Sequence, residues 1–335
     1  MFVKKYLKQS AKLIVTFSAA VVLLAVSHSS AANAQGAANT LKVSPVRSDV
    51  QVDPGQSTTV QTVVTNLTNQ PITVRPIAND FVANDESGTP ALILDENQFA
   101  PSHSLKRFMS PFTDVTIPAG QAKTIKVTLT VPADAAAGGY FGAVRFAPTT
   151  PDNGGQVNLS ASVASLILLT VSGSTNEKLD LSGFEVRQNG HTGTHFGSSD
   201  NLEVSARFTN GGDIQLGPFG KISVMKGDKV VYETDFNNKS PRDVVLPDSS
   251  RRWNIPLNDI GGFGEYKILA TFTYGAKNQT VAVTKSFWII PTWLIISAVA
   301  AVLVLIGGAV AIWFWTRRSR HRRRALGGSG RMRRR

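Results

Sequence analysis

From Ser286 to Thr316 the chain runs 31 residues without a charged side chain, and most of them are apolar. A helix needs about 20 such residues to cross the hydrocarbon core of a bilayer, and residues 292–315 supply them. Trp288 and Trp293 stand at one end of the run, Trp313 and Trp315 at the other. Indole rings settle at the two membrane–water interfaces, so this placement marks both edges of a span. Arg317, Arg318, Arg320 and Arg322 to Arg324 follow at once, and basic residues beside a span stay on the cytoplasmic side. The other use of such a run is a buried core helix, but one this long, bounded by arginines, suits no soluble core. The expectation is a transmembrane helix over 287–316 and a basic cytoplasmic tail over 317–335.

The start of the chain agrees. Lys4, Lys5, Lys8 and Lys12 precede an apolar stretch from Leu13 to Val26, and Ala32-Asn33-Ala34 has the small-x-small form of a cleavage site. This is the layout of a signal peptide over 1–34, with 35–39 as a short linker; an uncleaved anchor is the rival reading. Both place the segment between the two apolar stretches outside the membrane with the C-terminus inside; with the leader cleaved, the expectation is a single-pass type I protein of the cell membrane with an extracellular ectodomain.

The net charge of +12 suggests a nucleic-acid partner until it is located. Of the 35 Lys and Arg, four lie in 1–34 and ten in 317–335, where there is no acid; 21 remain between, against all 23 Asp and Glu. The exported part therefore carries no electrostatic footprint for nucleic acid. Arg317 to Arg324 read first as a plain stop-transfer signal, and second as a site for anionic lipid headgroups. With no cysteine in the chain, disulfides and thiolate chemistry are excluded. About 250 residues must be held by apolar cores alone, a length for two domains.

The exported pattern is β throughout. Ile125, Val127, Leu129 and Val131 alternate with polar residues, as do Leu202, Val204, Ala206 and Phe208, and Tyr266, Ile268, Ala270, Phe272 and Tyr274. That is the period of a half-buried strand. Val163 to Val171 is continuously apolar, as in a strand covered on both faces. A near-repeat, DVQVDPGQSTTVQTVV at 49–64 and DVTIPAGQAKTIKVTL at 114–129, reads as two similar hairpins at one end of a sandwich. Tyr140 and Tyr266 each follow a Gly-rich corner and open an alternating strand. This resembles the tyrosine corner of immunoglobulin-like folds, whose hydroxyl bonds back to the preceding loop. The expected architecture is all-β: an outer immunoglobulin-like sandwich over 40–172, a linker over 173–178, and a membrane-proximal one over 179–286. The outer one carries an insertion from Asn84 to Ser110, the first place to look for a ligand, or else a purely structural excursion.

No catalytic set stands out. His191 and His195 (HTGTH) would share one face of a helix and suit zinc, but Gly190, Gly193 and Gly197 argue for a solvated hairpin turn. His103 is isolated in the insertion. Asp80, Asp85 and Glu86, with Asp95 and Glu96, would need to face each other across a cleft to act as a hydrolase pair; polar turns or a loose calcium site are the alternatives. There is no nucleophile elbow, P-loop or dinucleotide fingerprint. The expectation is no catalytic residue, no metal and no cofactor, with binding residues unassigned. Sequons occur at Asn66, Asn158, Asn238 and Asn278.

The opening LKVSPVRSDVQVDPGQSTTVQTVVTNLTNQPITVRP, with PAGQAKTIKVTLTVP and GGYFGAVRF, resembles the WxL-interacting surface proteins of bacteria. The order of leader, two immunoglobulin-like domains, span and basic tail is similar too. The resemblance implies an outer domain that binds peptidoglycan and a second that binds host or partner proteins; it assigns no individual residue. The same opening is similar to the first domain of periplasmic pilus chaperones; those are soluble, so the C-terminal span argues against them, and the alternative reading is a membrane-tethered, chaperone-like assembly factor that adds a strand to a client.

Overall fold

The computed structural model describes residues 40–149 and 162–326. The leader and the 35–39 linker lie outside them, as does the tail beyond residue 326. The first body contains β1 (Leu41–Ser44), β2 (Arg47–Val52), β3 (Ser57–Asn66), β4 (Ile72–Ala83), β5 (Pro90–Leu92), β6 (Val115–Ile117), β7 (Ala122–Thr130), β8 (Gly138–Pro148) and β9 (Val163–Val171). One sheet has the order β1-β3-β7; the facing one has the order β2-β9-β8-β4-β5, with β6 also paired to β4. Between them lie Val60, Val64, Val74, Val127, Leu129, Phe146, Ile167 and Leu169, all buried. The alternation read at 125–131 is thus the inward face of β7.

The two halves of the near-repeat are not hairpins. β2 pairs with β9 and β6 with β4, whereas β3 and β7 pair with each other in the opposite sheet. Each Pro-Gly turn therefore carries the chain across the sandwich. Because β3 and β7 are antiparallel, the turns lie at opposite ends: the Gly55 N–H donates to the Val131 carbonyl at 3.1 Å and the Gly120 N–H to Thr68 at 3.0 Å. A local repeat reports turn chemistry but not which strands the turn joins.

The second body contains β10 (Leu179–Gln188), β11 (His191–Thr192), β12 (His195–Phe196), β13 (Leu202–Asn210), β14 (Phe219–Lys226), β15 (Lys229–Phe236), β16 (Ser249–Pro256), β17 (Gly264–Tyr274) and β18 (Gln279–Ile289). Its sheets have the orders β11-β10-β13-β16 and β12-β18-β17-β14-β15. Phe208, Phe236 and Phe272 meet at its centre, with ring centroids 4.9–5.9 Å apart.

Both corner tyrosines behave as the sequence reading expected. Tyr140 donates its hydroxyl to the Ala136 carbonyl at 2.9 Å, and Tyr266 to Gly262 at 2.6 Å, each four residues upstream. A second shared device carried no flag in the sequence. Asn66 ends β3, Asn210 ends β13, and both are buried. Each side-chain amide donates to the carbonyl four residues on (Gln70 at 2.7 Å, Ile214 at 2.8 Å), and each Oδ1 accepts the N–H two residues on.

β18 runs to Ile289, three residues past the expected boundary at 286. Phe287 and Ile289 are fully buried in the second core, so the first apolar residues of the uncharged run belong to the sandwich. Only Ile290 and Pro291 separate β18 from α1 (Thr292–Leu326). The stretch Thr292–Trp315 of α1 is long and apolar enough to cross a membrane, and none of it is buried against the sandwiches. Arg317 lies over the Trp313 ring at 5.1 Å.

Candidate functional site

The continuous apolar strand β9 is covered on both faces, as expected, and the second cover is the other sandwich. Ile167, Leu169 and Val171 face the first core; Leu166 and Leu168 face outward with Phe81, Phe141 and Ala143. Val244 and Leu246, from the loop before β16, pack against that outward cluster. The sandwiches also meet at the end of the second one opposite α1. There the Gly139 N–H donates to the Asp213 carbonyl at 2.7 Å, and Gln215 Nε2 to Thr170 Oγ1 at 3.0 Å.

A cavity of about 170 Å³ opens between the two bodies. Phe81, Leu166 and Leu168 form one wall and Val244 and Leu246 the other, with Arg47, Asp85, Asp243 and Arg251 also lining it. The Arg47 guanidinium donates to the Arg242 carbonyl at 2.8 Å and pairs with Asp49 at 2.9 Å. Arg251 donates to Val244 O at 3.1 Å and pairs with Asp243 at 3.4 Å, while its Nε is buried with no partner. Burial lowers the Arg251 pKa, partly offset by Asp243. Burial works the other way on Asp243, but the Lys239 hydrogen bond and the Arg251 charge outweigh it and hold that carboxyl below its usual range. Gly88 lies directly over the Arg251 guanidinium at φ +80, where a Cβ would overlap it. The site thus pairs an apolar cleft with two guanidiniums whose donor capacity is only partly used.

The insertion 84–110 divides in two. Its first part, with β5, borders the cleft. Glu86 reaches across to accept from Arg207 Nε on β13 at 2.6 Å and from Arg252 Nε on β16 at 2.8 Å. The Arg252 N–H donates to the Glu86 carbonyl at 2.7 Å as well. The Arg207 bond first, and the Arg252 bond and charge with it, hold the Glu86 carboxyl below the usual glutamate range against the effect of burial. The second part folds back on its own sandwich. Asp80, which the sequence placed in a polar turn, lies buried in β4 and accepts from Ala100 N, Ser104 Oγ and Lys106 N at 2.6–2.9 Å. His103 adds a tie from Nδ1 to the Gly139 carbonyl at 2.6 Å. Asp85 and Asp95 do cap local turns, at Ser87 and Asn97.

The acidic residues therefore do not face one another across a cleft. Among the described residues no group of three or more His, Cys, Asp or Glu could hold a metal ion. His191 belongs to a hairpin with β10, whereas His195 pairs with Trp288 in the opposite sheet. The expected single turn is thus a crossover. The longest edge strand of the first sandwich, β7, is strapped by Met109 and Ser110 at Leu129 and Thr128, and carries exposed Lys123 and Lys126. Such features blunt an edge against strand addition.

Residues 48–148 match the family model described as WxL Interacting Protein, peptidoglycan binding domain. The match runs from β2 to the end of β8 and includes the Asn66 and Tyr140 corners and the whole 84–110 insertion. It supports the resemblance read from the sequence. No curated protein matches the chain. Solved structures that resemble it include the class 5 fimbriae chaperone CfaA, 13% identical over 74% of this chain and 98% of that one, at a TM-score of 0.38. The Pseudomonas aeruginosa CupB2 chaperone is 8% identical over 73% and 99%, at 0.33. The E. coli chaperone DraB is 15% identical over 74% and 96%, at 0.31. At these scores the likeness carries no argument about function.

Proposed function

We propose that this chain, whose first sandwich resembles the peptidoglycan-binding domain of WxL-interacting proteins, is a non-enzymatic, membrane-anchored surface protein that binds cell-wall polymer. The observation that carries the reading is the match at 48–148. α1 is its single-pass anchor, with the sandwiches outside and the arginine tail on the cytoplasmic side, as the flanking charges favour. The same match supports a binding role in place of catalysis.

Beside Phe81, Gly88 and Pro90 of the matched segment, the cleft offers a ligand both apolar surface and, from Arg47 and Arg251 outside that segment, unspent donors. At about 170 Å³ it is smaller than a typical small-molecule pocket, so it takes one residue or end group of a longer polymer whose remainder lies along the surface. A peptide-bearing wall polymer supplies apolar side chains and carboxylates, which suit the Leu168–Val244 walls and the Arg47 and Arg251 margin. The test is amide hydrogen exchange on the ectodomain with and without soluble peptidoglycan fragments. Protection at 81–90 and 243–251 supports the cleft. Protection confined to the outer face of the β1-β3-β7 sheet rejects the cleft, and no protection anywhere rejects the polymer.

A further inference from the structure

The end of the second sandwich that faces α1 exposes aromatic residues that no packing explains. In the 257–263 loop Leu257 and Ile260 are buried, but Phe263, next in the same spacing, is 50% exposed. The loop holds it there. Tyr266 donates to the Gly262 carbonyl at 2.6 Å, and Lys226 Nζ to the Phe263 carbonyl at 2.8 Å. Gly261 and Gly264 adopt φ +105 and +148, which only glycine reaches readily. The ring is thus held at the surface and not in the core.

Register puts this tip at the α1 end of the sandwich. Gly264 pairs with Ile289 and Glu265 with Trp288, so the tip lies beside the last residues of β18. Three Cα steps separate Ile289 from Thr292, at most ~11 Å. Trp288 and Trp293 are exposed on the same junction. The exposed charges at this end are not predominantly basic: Lys226, Lys229 and Lys267 stand beside Asp200, Asp228, Asp259 and Glu265. Electrostatic attraction to an anionic surface is therefore not the driving force, whereas aromatic rings favour the headgroup layer of any bilayer.

We infer that the Phe263 tip, with Trp288, inserts into the headgroup layer of the membrane that α1 crosses. The second sandwich then stands on the bilayer at two points and has a fixed tilt. This rests on the reading of α1 as an anchor.

The chain has no cysteine, so single labels are clean. A Cβ added at Gly262 would meet open space, and Gly262→Cys keeps Phe263 in place. The full-length protein would be reconstituted in phosphatidylcholine vesicles with a polarity-sensitive dye at Gly262→Cys, at Leu303→Cys in the apolar helix, or at Asn278→Cys at the far end of the sandwich. The expected result is a blue shift at 262 and 303, none at 278, insensitivity of the 262 shift to salt, and its loss in Gly262→Cys/Phe263→Ser. A shift at 303 with a water-like signal at 262 overturns the inference and leaves the anchor standing. A water-like signal at 303 removes the anchor and the inference with it.

Discussion

Glu86 and Arg252 join the two sandwiches twice, once through their side chains at 2.8 Å and once through their backbones at 2.7 Å. Arg207 closes a fork on the same carboxylate at 2.6 Å. These side chains remain 29–39% exposed, so solvent screens the pairing and its contribution is modest. Glu86→Ala is expected to cost about 1–2 kcal/mol and to widen the angle between the bodies. Small-angle scattering of the ectodomain should show a larger radius of gyration with both sandwiches folded; an unchanged profile contradicts the role.

The same carboxylate makes the junction sensitive to acid. Its folded pKa lies below the unfolded value, because Arg207 and Arg252 favour the charged form. The stabilisation is thus complete above the ordinary carboxylate range of ~4 and is lost as pH falls through the lower folded value. Scattering should be constant from neutral pH to about 5 and expand only below about 4. Glu86→Gln should already show the expanded form at neutral pH.

Asn66 is a sequon by sequence and a structural corner in fact. Its amide donates to the carbonyls of Gln70, Ile117 and Pro118 at 2.7–3.1 Å. Asn66→Ala should cost roughly 2–3 kcal/mol, read as a lower denaturant midpoint. Expressed in a glycosylating host, the folded protein should carry sugar on exposed Asn278 and none on Asn66, as peptide mass analysis would show.

Phe287 tests where the sandwich ends. It stacks on Tyr266 with ring centroids 5.4 Å apart and lies edge to face with Phe196 at 5.9 Å. Phe287→Ala should destabilise the second sandwich by about 3–5 kcal/mol. An ectodomain cut after Ser286 should unfold at a lower temperature than one cut after Ile290. Equal stability would return these residues to the membrane segment.

The strands, the span and the tyrosine corners were legible because each depends on local pattern: period-2 alternation in β7, β13 and β17, an uncharged run in α1, a glycine-rich corner and a Tyr at the start of β8 and β17. The Asp80 network was not, since a buried acid in β4 makes sense only once its donors arrive from 20 to 26 residues on. The Glu86 fork spans 121 and 166 residues of sequence, so neither partner carries a local sign of the other. The cleft was hidden for the same reason: its walls are an apolar strand and a short VVLP segment, and only their packing creates a site. The boundary at 286 was hidden in a definite way, because the alternation of β18 continues into the apolar run and removes its first residues from the helix.

The binding proposed for the ectodomain is to cell-wall polymer, through its first sandwich and the adjoining cleft. Its most direct test is sedimentation of residues 40–290 with isolated peptidoglycan. The wild-type ectodomain should pellet with the polymer, and Arg251→Ala, checked for intact fold, should pellet at least about tenfold more weakly, as loss of a charged hydrogen-bonding contact implies. Wild-type protein left wholly in the supernatant would contradict it.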